Sequence, residues 1–315
     1  MQDTDIIGHN DIREYFKKQI LDGSLVHAHL IIGKDGIGKS LITKETAVKL
    51  IGKSEIKQYV DICEFKLSKN KKSIGIDQVR ALIDEVNKKP YEGDKKVIII
   101  YSADKLTVQA QNAVLKTIEE PPAGVYIFIL CENVQMILDT IKSRCQIHKL
   151  NPLSREEMLK FIYRKYPELD GKQKESLLVF AEGIPGRCEY LKEDEDFRVI
   201  RDTLAKLIVD INKTKESEFI NKYINFFIKY NHLYSEIFEA ILSYVRDIIL
   251  YKDITDDKII INRDKIDVIK QCCDLFSYNS LQKIVSAAEE ARKKIVKNVN
   301  FNLVYNVFLI DIFNV

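Results

Sequence analysis

The chain has 315 residues, of which 30% are charged and 46% hydrophobic, and its formal net charge is +2. This length suits two or three domains of about 100–200 residues each, and the composition excludes wholesale disorder and a fibrous repeat. With charge so nearly balanced, a broad electrostatic grip on nucleic acid is not expected.

The start of the chain carries Asp3, Asp5, Asp11, Arg13, Glu14, Lys17 and Lys18 with no long apolar run between them, so no signal peptide is expected. The longest apolar stretches, Val97–Tyr101 and Val125–Cys131, are far too short to span a bilayer, and a cytoplasmic protein is expected. An apolar strand at Ala28–Ile32 leads into Gly33-Lys34-Asp35-Gly36-Ile37-Gly38-Lys39-Ser40, which satisfies G-x-x-x-x-G-K-[ST] ahead of a helix at Ser40–Leu50. Glycines let such a loop turn successive N–H groups towards one phosphate at a helix N-terminus. Lys39 would then reach the β and γ phosphates and Ser40 a magnesium ion, so ATP or ADP, with Mg, is the expected occupant of Gly33, Gly36, Gly38, Lys39 and Ser40.

A strand follows at Val60–Leu67, then a helix at Asp77–Lys88 with Val79, Leu82, Ile83 and Val86 on one face and Asp77 placed to cap it. The strand Val97–Tyr101 ends where an ATPase would present two carboxylates, one for the metal and one for the attacking water. This chain has Tyr101 and Ser102 there, and Asp104 comes a turn too late. Nucleotide binding can survive that loss, whereas efficient hydrolysis should not. A helix at Gln109–Glu120 turns Ala110, Ala113, Val114 and Ile118 to one side and stops at Pro121; strands at Val125–Cys131 and Gln146–Leu150 follow. Alternating apolar strands and amphipathic helices predict a parallel, doubly wound α/β P-loop domain over residues 1–150. His148 falls in the last strand and is expected to be structural.

Asn151-Pro152-Leu153 breaks the chain, and Ser154-Arg155-Glu156-Glu157 is a capping box opening a helix at Arg155–Lys165. A second helix at Lys172–Ala181 and a third beginning near Arg187 complete a small helical module over 151–196. Beyond Gly186 the chain contains neither glycine nor proline, so the remainder, 197–315, should be all helix. Leu281, Ile284, Val285, Ala288, Ile295, Val296 and Val299 recur at helical spacing, and Leu303–Phe313 forms an almost wholly apolar last helix that needs a cover. Six cysteines form no C-x-x-C pair, so free thiols are expected and no zinc site. The lysine clusters (Lys69, Lys71, Lys72; Lys88, Lys89; Lys95, Lys96; Arg292, Lys293, Lys294) are expected to be solvated faces.

The segment Ala103-Asp104-Lys105-Leu106-Thr107 with Gln111-Asn112-Ala113-Val114-Leu115-Lys116-Thr117-Ile118-Glu119-Glu120-Pro121-Pro122 resembles the signature of clamp-loader AAA+ proteins. Thr140-Ile141-Lys142-Ser143-Arg144-Cys145-Gln146 matches their Ser-Arg-Cys motif, and Gly183-Ile184-Pro185-Gly186-Arg187 resembles the lid motif that opens their sensor-2 helix. Ile7-Gly8-His9-Asn10, His27-Ala28-His29-Leu30 and Asn298-Val299-Asn300-Phe301-Asn302-Leu303 are also similar. The resemblance implies an AAA+ domain, a helical lid and a helical collar that oligomerises. It makes Arg144 an arginine finger acting in trans on a neighbour's ATP, Arg187 the sensor-2 residue, and Glu132 or Asn133 the sensor-1 position. The implied partners are the gamma/tau and delta clamp-loader subunits of DNA polymerase III, the sliding clamp and, through the assembled complex, primer–template DNA. Two departures bear on its role. The missing acids move the chain away from the ATP-hydrolysing gamma/tau kind, which remains the alternative reading, and the zinc module of many relatives is absent. Whether the chain is itself an enzyme is left open.

Overall fold

The protein, seen in a computed structural model, is described over residues 6–66, 73–193, 195–211, 213 and 215–315. Asp3, Asp5 and the Lys69, Lys71, Lys72 cluster lie outside them. The chain divides into two compact units: Met1–Lys165 with Glu182–Arg187, and Tyr166–Ala181 with Cys188–Val315. The stretch 151–196 is therefore shared between them.

In the first unit, β1 (Ala28–Ile32), β2 (Ile62–Phe65), β3 (Lys96–Ile100), β4 (Val125–Cys131) and β5 (Gln146–Lys149) form one sheet in the order β2-β3-β4-β1-β5, with every pairing parallel. The inner strands are unbroken apolar runs because helices cover both faces. On one face α3 (Ile76–Val86) and α4 (Val108–Glu119) bury Val79, Leu82, Val86, Ala110, Val114 and Ile118 against Ile98, Ile100, Ile127 and Ile129. On the other, α1 (Asn10–Leu21) and α2 (Lys39–Leu50) bury Phe16, Ile42, Ala47 and Leu50 against Ile31, Val97, Ile99 and Phe128. A short α5 (Asp139–Lys142) precedes β5, and α6 (Arg155–Lys165) follows it. The fold is the α/β P-loop architecture that strand–helix alternation predicts.

Three local expectations need correction. Lys96 is not on a solvated face: it is fully buried, its Nζ donating to Glu85 Oε1 at 2.6 Å and Glu85 O at 2.8 Å. The second strand is shorter than Val60–Leu67, and Asp77 does not cap α3. Gly75 is the N-cap and Asp77 sits in the first turn, where it pairs with Arg80 at 3.4 Å. The reason is tertiary. Ile74 is fixed beside Leu106, accepting from Thr107 N and donating to Lys105 O, so the chain turns helical immediately after it. The capping box is present: Glu157 N donates to Ser154 Oγ at 3.2 Å and Ser154 N to Glu157 Oε2 at 2.8 Å.

The second unit is helical: α7 (Gly171–Phe180), most of α8 (Pro185–Glu193), α9 (Glu195–Asp210), α10 (Glu216–Lys229), α11 (Tyr234–Ile254), α12 (Ile266–Leu275), α13 (Tyr278–Val296) and α14 (Phe301–Phe313). The core gathers Phe219, Phe227, Phe238, Tyr305 and Phe308 with aliphatic side chains from α9 to α14. Buried Asp247 ties the loop after α11 to that helix, accepting from Ile261 N, Asn262 N and Asn262 Nδ2. The last helix packs against α10 and α13 through Val304, Tyr305, Phe308, Leu309 and Ile312. Its other side leaves Leu303, Val307 and Ile310 at 61%, 37% and 37% exposure.

Candidate nucleotide site

Gly33 follows the last residue of β1 and its N–H donates to Cys131 O at 3.2 Å, so the phosphate-type loop leaves the sheet at the C-terminal ends of β1 and β4. Gly36 and Gly38 take φ of 75° and 111°, the left-handed region in which a side chain is strained, and Gly38 is the N-cap of α2. Lys39 Nζ folds back into the loop, donating to Gly33 O at 2.7 Å and Lys34 O at 2.9 Å. Burial lowers the Lys39 pKa, opposed by the charges of Asp35, Glu132 and Asp104. His9, itself at φ 55°, contacts Ile37 O through Nε2 at 3.0 Å and closes the loop from the side of α1. Gly33, Gly36, Gly38, Lys39 and Ser40 are thus assembled as a phosphate cradle fits them.

A magnesium ion fits this chain less well. Ser40 Oγ faces the Tyr101 hydroxyl at 3.5 Å, in the place where the second strand of a hydrolysing enzyme brings an acid. Glu64 of β2 neighbours that hydroxyl, and burial pushes the Tyr101 pKa upward. Glu64 is held in turn by Lys44 at 2.8 Å and Lys66 at 2.6 Å, and the Lys66 ammonium lies 4.8 Å from the centre of the Tyr101 ring. Asp104 has turned away from the strand into a helical turn, where Oδ1 accepts from Glu132 N at 3.2 Å. Of the two residues after β4, Glu132 bears on the Lys39 charge, whereas Asn133 Oδ1 is taken by Gln135 N as a cap. Among the described residues no group of three or more His, Cys, Asp and Glu gathers as a metal site.

The Gly183–Arg187 turn lies against the loop. Gly186 N donates to Gly36 O at 2.9 Å, and a Cβ on Gly186 would come within 2.5 Å of Gly36 Cα. Both positions need glycine because two backbones touch there. Arg187 pairs with Glu182 at 2.9 Å, and Glu182 stands 3.9 Å from Lys34 of the loop.

Arg144 is elsewhere. It lies between α5 and β5, and β5 pairs with β1 in parallel register, His29 with Gln146 through Ile32 with Lys149. Arg144 therefore stands at the N-terminal edge of the sheet, opposite the loop. Its guanidinium is about one-third exposed, donating to Thr140 O at 3.1 Å and pairing with Glu119 at 3.3 Å. The strand that follows it is fastened by Tyr15, which donates to Gln146 Oε1 at 2.7 Å, and by a part-buried contact of 3.1 Å between His29 Nδ1 and His148 Nε2. Burial, with the neighbouring imidazole, depresses His29 to a pKa of about 3, and burial depresses His148 to about 4.

Two family models match this chain: "DNA polymerase III, delta subunit" over residues 8–154 and "DNA polymerase III, delta subunit, C terminal" over 194–313. The delta' subunit of DNA polymerase III from Bacillus subtilis is 29% identical over 293 residues, 88% of this chain and 87% of that protein. The chain belongs to the delta' family of clamp-loader subunits. The Escherichia coli delta' subunit is 31% identical over 140 residues, 44% of this chain and 41% of its own. A gamma subunit-related protein of DNA polymerase III from Thermotoga maritima shares the fold, with a TM-score of 0.53 at 19% identity over 95% of this chain and 98% of its own.

Within this delta'-family chain, sequence reasoning located the loop, the vacated acids and Arg144. It missed Glu64, Lys44 and Lys66 around Tyr101, because strand order alone brings β2 beside β3. The available signal was Lys44, one helical turn beyond Ser40 on the same face.

Proposed function

We propose that this clamp-loader subunit is catalytically impaired and serves a neighbour, presenting Arg144 to ATP bound by the next subunit of the ring. The observation that carries this reading is the position of Arg144 at the sheet edge opposite its own phosphate loop. The four paired residues of β5 alone separate the two by about 13 Å at roughly 3.3 Å per residue, beyond a side chain's reach. Its bonds within the chain, to Glu119 and Thr140 O, lie at that edge, and its fixed charge and planar fork suit a neighbour's phosphate oxygens. Tyr101 and Ser102 in place of two acids support the impaired half of the reading. The loop supports ATP or ADP as ligand, with Arg187 near its mouth.

The helical domain over 197–315 acts as the collar. The exposed stripe Leu303, Val307 and Ile310 on α14 suits packing against equivalent helices of other subunits. The partners are then gamma/tau and delta subunits, and the assembled machine places a sliding clamp on primer–template DNA in the cytoplasm. Among the described residues no helix is long and apolar enough to cross a membrane.

Reconstitution with partner subunits tests the reading. Arg144→Ala should abolish most DNA-stimulated ATPase while leaving assembly intact, and an assembled mutant with wild-type activity overturns the finger role. Brisk magnesium-dependent ATP turnover by the isolated chain would favour the gamma/tau-type motor instead.

A further inference from the structure

The surroundings of Tyr101 carry a charge opposite to that of a metal site. Magnesium is held in nucleotide sites by one or two carboxylates together with phosphate oxygens and water. Here the residue facing Ser40 is a phenol, uncharged at neutral pH. The carboxylate nearest that phenol on β2, Glu64, is covered by two ammonium groups, Lys44 at 2.8 Å and Lys66 at 2.6 Å. Glu64, Lys44 and Lys66 together bear one net positive charge. That side of the site favours a polyphosphate over a divalent cation. Across the loop Asp35, Glu132 and Asp104 face the Lys39 charge, with Asp104 engaged by Glu132 N–H, so the positive excess is confined to the Tyr101 side.

We propose that the phosphate loop takes a nucleoside di- or triphosphate without magnesium, Lys44 and Lys66 beside Tyr101 supplying the positive charge that the metal supplies in a hydrolysing subunit. This rests on the nucleotide reading above and adds how the ligand is held. It also explains how a loop with its lysine and serine in place can be kept from hydrolysis, since the ion that neutralises developing charge has no seat.

Calorimetric titration of the purified full chain with ATP and with ADP, in excess magnesium and in excess EDTA, is the test. Affinities in the two buffers should agree within about threefold. Binding that appears only with magnesium, or weakens more than about threefold in EDTA, overturns the proposal and leaves the nucleotide reading standing. No binding in either buffer overturns both. Tyr101→Asp, checked for folding by its melting temperature, should gain a preference for magnesium of about tenfold. A folded variant indifferent to the metal removes Tyr101 from the account. Lys66→Met, at an exposed position, should weaken binding in EDTA by about threefold or more, and unchanged affinity would refute the lysine's part.

Discussion

The two edges of one parallel sheet have been equipped for different tasks. At the C-terminal edge, Gly33–Ser40 retains the backbone and lysine of a phosphate cradle, but the acid opposite Ser40 has become Tyr101 and is ringed by lysines. At the N-terminal edge, Arg144 stands just before a strand fastened by Tyr15, His29 and His148, with its guanidinium turned towards solvent and Glu119. If the proposed reading holds, one sheet has given up hydrolysis at one edge while keeping a catalytic arginine at the other. On the proposed reading, the residues around Tyr101 answer to this chain's own ligand and Arg144 to a neighbour's.

The sharpest way to break the comparison is Arg144→Ala in the assembled complex. Arginine fingers are worth about 10³–10⁵ in rate, so the served site should lose about three orders of magnitude, read as DNA-stimulated ATPase. Arg144→Lys should recover little, because an ammonium lacks the planar fork. A smaller effect is expected at the other edge: Gly186→Ala drives a methyl into Gly36 and should destabilise the first unit by about 1–3 kcal/mol in urea denaturation. Acid should loosen the Arg144 edge selectively. His29 and His148 titrate at about 3 and about 4 when folded and near 6.5 when unfolded, so the unfolded chain binds more protons between those values. The stability they contribute is whole above pH 6.5 and is lost as pH falls towards 4. Amide exchange in β5 should accelerate over that range relative to β3, and His148→Gln should flatten the response. The smallest effect is expected of Lys39→Ala, which should weaken nucleotide binding by the isolated chain yet change the complex's DNA-stimulated ATPase by less than about twofold. A loss comparable to that of Arg144→Ala would mean the two edges are not independent.

Much of this was legible in the chain itself. Apolar runs such as Val97–Tyr101 announced inner parallel strands, and the Ser154–Glu157 box announced α6, since both depend on neighbours in sequence. What depended on distant pairing was not legible. Asp77 looked like a helix cap until the Ile74–Leu106 bridge moved that duty to Gly75. The absent acids at Tyr101 and Ser102 could be read directly, whereas the Glu64, Lys44 and Lys66 side chains beside them required knowing that β2 borders β3. Likewise Gly36 and Gly186, far apart in the chain, show their mutual need for glycine only where the two backbones meet.

The residue following Arg144 is a thiol. Cys145 packs beside the core of the first unit, and burial pushes its pKa up to about 12, which lowers its reactivity with alkylating agents at neutral pH. Any event that peels β5 from its neighbour would uncover that sulfur within one residue of the guanidinium. On the proposed reading, Cys145 labelling in the assembled complex would report how firmly β5 holds Arg144 at the subunit boundary.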